Sequence, residues 1–148
     1  MIKAVIFDWA YTLYDWRERE PYPDTTKVLK SLSKKYKLAI VALASDGDIA
    51  GRKKAINDNG LEKYFAVILI DVQNKDRLYA IALKELGCQP EEVAIVDDRP
   101  IRGIQWGNKN GAMTIWVDRR EITHEVPDAD TGKPTHTIKN IGELLSFL

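Results

Sequence analysis

The chain has 148 residues, 45% of them hydrophobic, which suits one domain with its own core. Its 22 basic residues balance 22 acidic ones, so there is no net charge that would favour nucleic acid or an anionic membrane surface. No apolar run approaches the roughly 20 residues that a membrane-spanning helix needs. The one cysteine, Cys88, cannot form an internal disulfide, which fits a reducing, cytoplasmic setting.

Short apolar runs alternate with helical patterns along the whole chain. In chain order the predicted elements are a strand at 4–7, a helix from Asp24, a strand at 38–43, a helix from Asp48 to Gly60, a strand at 67–70, a helix between Asn74 and Gly87, a strand at 93–96, a short helix at about 101–109, a strand at 114–117, and a last helix that opens with Asn140 and Glu143. The polar residues at the helix starts are typical N-caps, glycine is a typical stop, and the final pair resembles a capping box.

This alternation of strand and helix predicts an α/β fold of three layers, α/β/α and Rossmann-like, over residues 1–148 as a single domain. The sheet is expected to be parallel, with about five strands. Ligands in such sheets bind where the strands end at their carboxyl side. That rule selects Asp8, the 45–48 loop, the 71–75 loop and the pair Asp97 and Asp98.

Carboxylates follow two of the buried strands. Asp8 ends the first strand in IFDWAYTLYD, and Asp97 and Asp98 end another in VAIVDDRP. Carboxylates that meet at one edge repel each other unless a cation lies between them, and Mg²⁺ prefers such oxygen ligands. A metal beside a carboxylate nucleophile suits phosphoryl transfer. The alternative for Asp8 is a carboxylate that only caps a turn.

The ordered motifs resemble the haloacid-dehalogenase-like superfamily. The first motif of that family is an Asp followed four residues later by Thr and then Leu, as in IFDWAYTLYD. The stretches NKDRLYAIALKELGCQPEEVAIVDDRP and GNKNGAMTIWV are similar to its third and fourth motifs, and THTIKNIGELLSFL to its tail. The resemblance covers nearly the whole chain and implies the corresponding fold.

The resemblance also implies roles for individual residues. Asp8 is the nucleophile that forms an aspartyl-phosphate, Thr12 supports its loop, and Lys75 balances the charge. Asp8, the backbone carbonyl of Ala10, Asp97 and Asp98 are the expected ligands of Mg²⁺. The expected substrate is a phosphorylated small molecule or macromolecule.

Three positions depart from the family pattern. Family phosphatases carry a second Asp, the general acid and base, where this chain has Ala10. Gly103 stands near the place of a further acidic residue. The Ser or Thr of the second motif falls on Ala42, or else on Ser45 three residues later. The loop ASDGD, with Ser45, Asp46 and Gly47, remains a predicted phosphate cradle.

Two subfamilies tolerate a residue other than Asp at position 10. Phosphonoacetaldehyde hydrolases have a sequence similar to DWAGT, and haloacid dehalogenases have an aromatic residue there. Both use a cap domain, but neither 13–23 nor 71–74 is long enough to hold one. A capless site is open, so it suits a large substrate or a homodimer that covers it. The aromatic residues between 9 and 16 are expected to serve mainly in packing, with some available as a substrate wall or dimer contact.

Three functions therefore compete. The first is a Mg²⁺-dependent hydrolase of phosphorylated compounds, weakened by the loss at Ala10. The second is a lapsed enzyme that keeps the fold as a binding or scaffold protein. A receiver-type signalling domain is disfavoured, because its acidic pair would follow the first strand and its phosphorylated Asp the third.

Overall fold

A computed structural model describes all residues from Met1 to Leu148. In chain order its strands and α-helices are β1 (Ala4–Phe7), β2 (Tyr14–Asp15), β3 (Glu20–Pro21), α1 (Thr25–Leu32), β4 (Lys37–Leu43), α2 (Ile49–Asp58), β5 (Val67–Asp71), α3 (Asp76–Leu86), β6 (Val93–Asp97), α4 (Gln105–Asn110), β7 (Met113–Val117), α5 (Arg120–Thr123) and β8 (His136–Ile138). Short 3₁₀ helices cover Glu62–Tyr64, Pro90–Glu92 and Ile141–Ser146, and a π-helical turn covers Pro100–Ile104.

Six strands form one parallel sheet in the order β5-β4-β1-β6-β7-β8. The central strand β1 pairs with β4 on one side and with β6 on the other, and its Phe7 lies opposite Ile40 and Val96. The strand order therefore reverses around β1, and the carboxyl ends of β1 and β6 lie side by side. This is the point where an open α/β sheet places its ligand.

Helices cover both faces of the sheet, so the predicted three-layer α/β/α fold is confirmed. One face packs against α1, α2 and the 141–146 helix, with Phe7, Leu29 and Ile40 in its core. The other face packs against α3, with Ile6, Tyr79 and Leu86 in its core. The alternating sides of β1 thus supply both cores, which explains its continuous apolar sequence.

The structure refines several predicted boundaries. Asp48 caps α2 by accepting a hydrogen bond from the Gly51 amide at 2.8 Å, whereas Asp24 makes no such bond to α1. Helix α3 begins one residue later than predicted, with Lys75 at its N-cap position and Asn74 accepting from the Asp76 amide. The sheet has a sixth strand, β8, which the sequence did not predict.

The segments that could have held a cap are short. Between β1 and α1 the chain forms only a turn and the small antiparallel hairpin of β2 and β3. Between β5 and α3 it forms a loop of residues 72–75. None of the helices is long and apolar enough to cross a lipid bilayer.

Candidate active site

Asp8 lies directly after β1, buried at the carboxyl edge of the sheet. Its amide donates to the Val96 carbonyl at 2.9 Å, which continues the β1–β6 ladder and fixes the backbone. Its Oδ1 accepts from Lys75 Nζ at 3.0 Å, and its Oδ2 lies 3.3 Å from Thr12 Oγ1. Burial by itself raises the pKa of Asp8, but the Lys75 ammonium and the hydrogen bonds to the carboxylate hold that pKa below its ordinary value. Asp8 is therefore an ionised carboxylate.

Lys75 is buried at the start of α3 and joins two of the acidic residues. Its Nζ lies 3.0 Å from Asp8 Oδ1 and 2.6 Å from Asp97 Oδ2. Burial lowers the pKa of Lys75, but the charges of Asp8 and Asp97 outweigh it and hold that pKa well above its ordinary value. A permanently charged ammonium at this place screens Asp8 from an incoming anion.

The Asp97 carboxylate is fully occupied by donors from its own surroundings. It accepts from Lys75, from the Arg99 amide at 3.0 Å and from the Gly103 amide at 2.9 Å. Burial and the charge of Asp8 raise the pKa of Asp97, while Lys75 opposes that rise. Asp97 therefore orients Lys75 and closes the loop that follows β6.

Asp98 completes the acidic cluster. Its Oδ1 lies 3.2 Å from Thr12 Oγ1, and its carbonyl accepts from Trp116 Nε1 at 3.0 Å. Burial, followed by the charges of Asp8 and Asp97, raises the pKa of Asp98 well above its ordinary value. The Thr12 hydroxyl lies between Asp8 and Asp98 but has one hydrogen, so it can donate to only one of them at a time.

The three carboxylates offer oxygens that lie within 4.8 Å of one another. Burial first, and then the charges of Asp8 and Asp97, raise the pKa of Asp98, and a divalent cation would relieve the repulsion among the three. All the donors are hard oxygens, and Ala10 borders the same cleft as Asp8 and Asp98. The residues present therefore fit Mg²⁺.

A cleft of about 350 Å³ opens above Asp8 and Asp98. Ser45 lines it, while Ala42 is buried in the core beneath the sheet edge. Asp46 does not line the cleft, and its Oδ1 lies 2.7 Å from Nη1 of Arg52. Gly47 adopts a φ of 85° in the same loop and does not border the cleft. Of the predicted cradle, the structure brings Ser45 alone to the site.

Three arginines that the sequence reasoning did not select also line the cleft. Arg52 comes from α2, and Arg99 and Arg102 come from the segment after β6. The nearness of Arg99 and Arg102 to Asp98 in sequence was a usable signal. Arg52 carried no such signal, because its position depends on how α2 packs against the 8–16 segment.

The surroundings of Gly103 leave no room for a side chain. A Cβ at this position would lie 2.6 Å from Asp97 Oδ2 and 2.8 Å from the Tyr79 hydroxyl. The absence of a side chain lets the Gly103 amide reach Asp97. Close packing therefore explains the glycine, and the expected loss of a metal ligand at this position stays a prediction.

The aromatic residues near Asp8 divide between the core and the border of the cleft. Trp9 is fully buried and stacks on Tyr14 at 5.0 Å between ring centroids. Tyr11, which has a φ of 60°, and Trp16 border the cleft. The first pair therefore belongs to the core, and the second forms part of the wall.

The fold and the buried acidic cluster define a haloacid-dehalogenase-like hydrolase. The sequence model of that family, described as haloacid dehalogenase-like hydrolase, matches residues 1–117. The chain belongs to this family.

Two curated proteins that are similar to this chain in sequence are phosphatases. The chain is 30% identical over 121 residues to the phosphoserine phosphatase of Thermus thermophilus, covering 77% of this chain and 48% of that protein. It is 26% identical over 135 residues to the glyceraldehyde 3-phosphate phosphatase of Methanopyrus kandleri, covering 87% of this chain and 57% of that protein. The chain thus spans about half the length of these relatives.

A solved structure shares the fold at low sequence identity. The phosphatase of this family from Thermococcus onnurineus superposes with a TM-score of 0.77 at 20% identity, covering 98% of this chain and 97% of that one. At 20% identity this similarity establishes the fold alone, so the reaction has to be inferred from the residues of the site.

Proposed function

We propose that the protein is a Mg²⁺-dependent phosphatase that forms an aspartyl-phosphate on Asp8. The observation that carries the proposal is the Asp8 carboxylate, held ionised by Lys75 at the floor of an open cleft. A buried, ionised carboxylate beside a fixed ammonium is suited to attack an electron-poor phosphorus atom. The two phosphatase relatives support the same reaction class.

The reaction proceeds in two displacements. A carboxylate oxygen of Asp8 attacks phosphorus, the phosphorus–oxygen bond to the leaving alcohol breaks, and an aspartyl-phosphate forms. Water then attacks that phosphorus, releases inorganic phosphate and restores the Asp8 carboxylate. Lys75 stays hydrogen-bonded to Asp8 and balances the charge of the phosphoryl oxygens, while Thr12 orients the carboxylate.

Asp8, the Ala10 carbonyl and Asp98 would hold the magnesium ion, with Asp97 behind them as the partner of Lys75. When bound, the ion would supply positive charge next to the phosphoryl group. Ser45, which lines the same cleft, would donate to a phosphoryl oxygen.

Proton transfer to the leaving group is the weak step. Ala10 offers no carboxyl group, and the cleft contains no histidine or cysteine that could replace it. Loss of a general acid typically costs about 10²–10⁴-fold in rate. We therefore expect slow turnover that favours esters with acidic leaving groups. Ala10 also supports the second candidate function, a protein that has lost catalysis and only binds its ligand.

The test is turnover on a panel of phosphate esters with Mg²⁺, with 2-haloacids and a phosphonate included. The account expects phosphate release from activated esters by the wild type and none by Asp8→Asn, with no reaction of the haloacids. The matched control is Asp76→Asn, an exposed acid near Lys75 that contacts none of the cluster. Absence of turnover on every ester would favour the binding protein, and halide or carbonyl release would favour the dehalogenase or phosphonatase chemistry.

The single thiol, Cys88, is buried and unpaired. That state supports our further proposal of a reducing, cytoplasmic location.

A further inference from the structure

Three guanidinium groups line the wall of the cleft whose floor holds Asp8. Arg52 is paired with Asp46, and Arg99 is paired with Glu125. Arg102 borders the same cleft and forms no salt bridge and no side-chain hydrogen bond within the chain. The wall therefore carries one positive charge that no acidic residue of the protein neutralises.

Arg52 is held in place by Asp46 and Trp16, and part of its guanidinium group makes no hydrogen bond within the chain. It is 7% exposed, its Nη1 lies 2.7 Å and 2.9 Å from the two Asp46 oxygens, and its guanidinium lies 4.6 Å from the Trp16 ring centroid. Its Nε–H is buried without a hydrogen-bond partner. A ligand cannot reach that buried nitrogen, but Nη2 of Arg52 makes no hydrogen bond within the chain and is the donor that remains for a ligand.

The floor of the cleft does not use these arginines. Asp8 takes its hydrogen bonds from Lys75 and Thr12, and Asp97 takes its own from Lys75 and two amides. Lys75 is engaged by Asp8 and Asp97, and none of the three guanidinium groups contacts the acidic cluster. The positive charge of Arg102 is therefore available to an anionic part of the substrate that lies away from Asp8.

We infer that the wall formed by Arg52, Arg99 and Arg102 binds a second anionic group of the substrate, carried by the leaving group. This inference rests on the proposed phosphatase function and narrows its substrate class to phosphate esters that also bear a carboxylate or a second phosphate. Leu43 and Ile122 border the cleft together with Trp16, so apolar surface is available for a short carbon chain between the two anionic ends. Arginine suits this purpose because its fork of donors matches the geometry of both oxyanions.

The test compares three esters: the phosphate ester of a short hydroxy acid, the corresponding amide, and a bisphosphate of similar length. The wild type is expected to show a KM for one anionic ester that is about 10- to 100-fold lower than for the amide, the value of one charge-assisted contact. The anionic ester that shows the lower KM identifies which oxyanion is bound.

Arg102→Gln should raise the KM for that anionic ester about 10- to 100-fold, with little change in kcat and little change for the amide. Arg102→Lys should recover part of the loss, because it keeps the charge. The matched control is Lys109→Gln, which removes an equal charge two turns further along but outside this cleft. Arg102 has no partner inside the protein, so its replacement is not expected to disturb folding.

The outcomes separate the two proposals. Turnover of all three esters with equal kcat/KM, or an Arg102→Gln effect that is the same for the amide, overturns the inference and leaves the phosphatase proposal standing. A wild type that turns over none of them, nor any activated ester, overturns both.

Discussion

Asp8 is surrounded by groups that favour its charged form, whereas Asp98, its neighbour across Thr12, is surrounded by groups that oppose it. Burial raises the pKa of both residues, and their charged neighbours make the difference. Lys75 bonds Asp8 directly, while Asp98 faces the negative charges of Asp8 and Asp97 without an ammonium of its own. In the proposed mechanism, the attacking carboxylate would thus be kept ionised, and a cation beside Asp98 would relieve the repulsion that Asp98 experiences.

Ala10 is the residue at which this chain departs most from a family phosphatase. It borders the cleft beside Asp8, so there is room for a longer side chain. Ala10→Asp should raise kcat on esters of poorly acidic alcohols by about 10²–10⁴-fold, because a carboxyl group can then protonate the leaving oxygen.

The control for that change is Ala10→Asn, which has nearly the same size but does not titrate. A gain in the Asp variant that is absent in the Asn variant supports a missing general acid. No gain, or an equal gain in both, would contradict it.

At the scale of single residues, sequence reasoning reached the side chains that follow the strands. Asp8, Asp97 and Asp98 could be found because the carboxyl ends of buried parallel strands share one edge. The sequence could not predict that Asp46 pairs with Arg52, a residue of the next helix. Long-range pairing of this kind leaves no periodic signal in the sequence.

The segment between β6 and α4 is the element on which the acidic cluster depends. A π-helical turn from Pro100 to Ile104 brings the Gly103 amide to Asp97. Proline at the first position suits the turn because its missing N–H would have no partner there. The sequence predicted one short helix over this region and could not specify that its first turn is wider.

Gly103→Ala should destabilise the protein by about 1–3 kcal/mol, the usual cost of overpacking a closed site. The added Cβ would lie 2.6 Å from Asp97 Oδ2, so either the turn or Asp97 must move. A shift of Asp97 would also disturb its contact with Lys75. Urea unfolding measures the change.

Ile101→Ala on the same turn is the control, since Ile101 is 53% exposed and its loss should cost no more than about 0.5 kcal/mol. Equal stability of Gly103→Ala and the wild type would show that the turn is not closely packed.

Strand β8 shows where element prediction fails. It has three residues, His136, Thr137 and Ile138, with mixed polarity, and it exists because β7 offers an unpaired edge. His136 also stacks on Phe147 at 4.1 Å, which ties the strand to the 141–146 helix. None of these contacts can be read from a local pattern. The longer strands β1, β4 and β6 could be predicted because both of their faces are buried.

For the whole molecule, the acidic cluster links stability to pH and, if the proposed function holds, to magnesium as well. Folding raises the pKa of Asp98. At pH values above the ordinary pKa of a carboxyl group, the metal-free folded state therefore binds more protons than the unfolded state does. Stability from this group therefore falls as pH rises. Asp8 acts in the opposite sense, because its lowered pKa gives stability that is lost as pH falls through that value.

Magnesium should consequently raise the melting temperature more at about pH 8 than at about pH 5, where protons compete with it for Asp98. At a concentration about 100 times its Kd, the ion adds about 2.7 kcal/mol. Thermal melts with and without Mg²⁺ measure this. Asp98→Asn should lose the pH-dependent part of the shift. A shift that is independent of pH, or unchanged in that variant, would place the ion elsewhere.

The central claim is that Asp8 becomes phosphorylated, and beryllium fluoride tests it most directly, because it forms a stable mimic of an aspartyl-phosphate. Fluorine NMR of the wild type with Mg²⁺ and beryllium fluoride should show protein-bound resonances, and Asp8→Asn should show none. Bound resonances that persist in Asp8→Asn, or a folded wild type that shows none, would contradict the account.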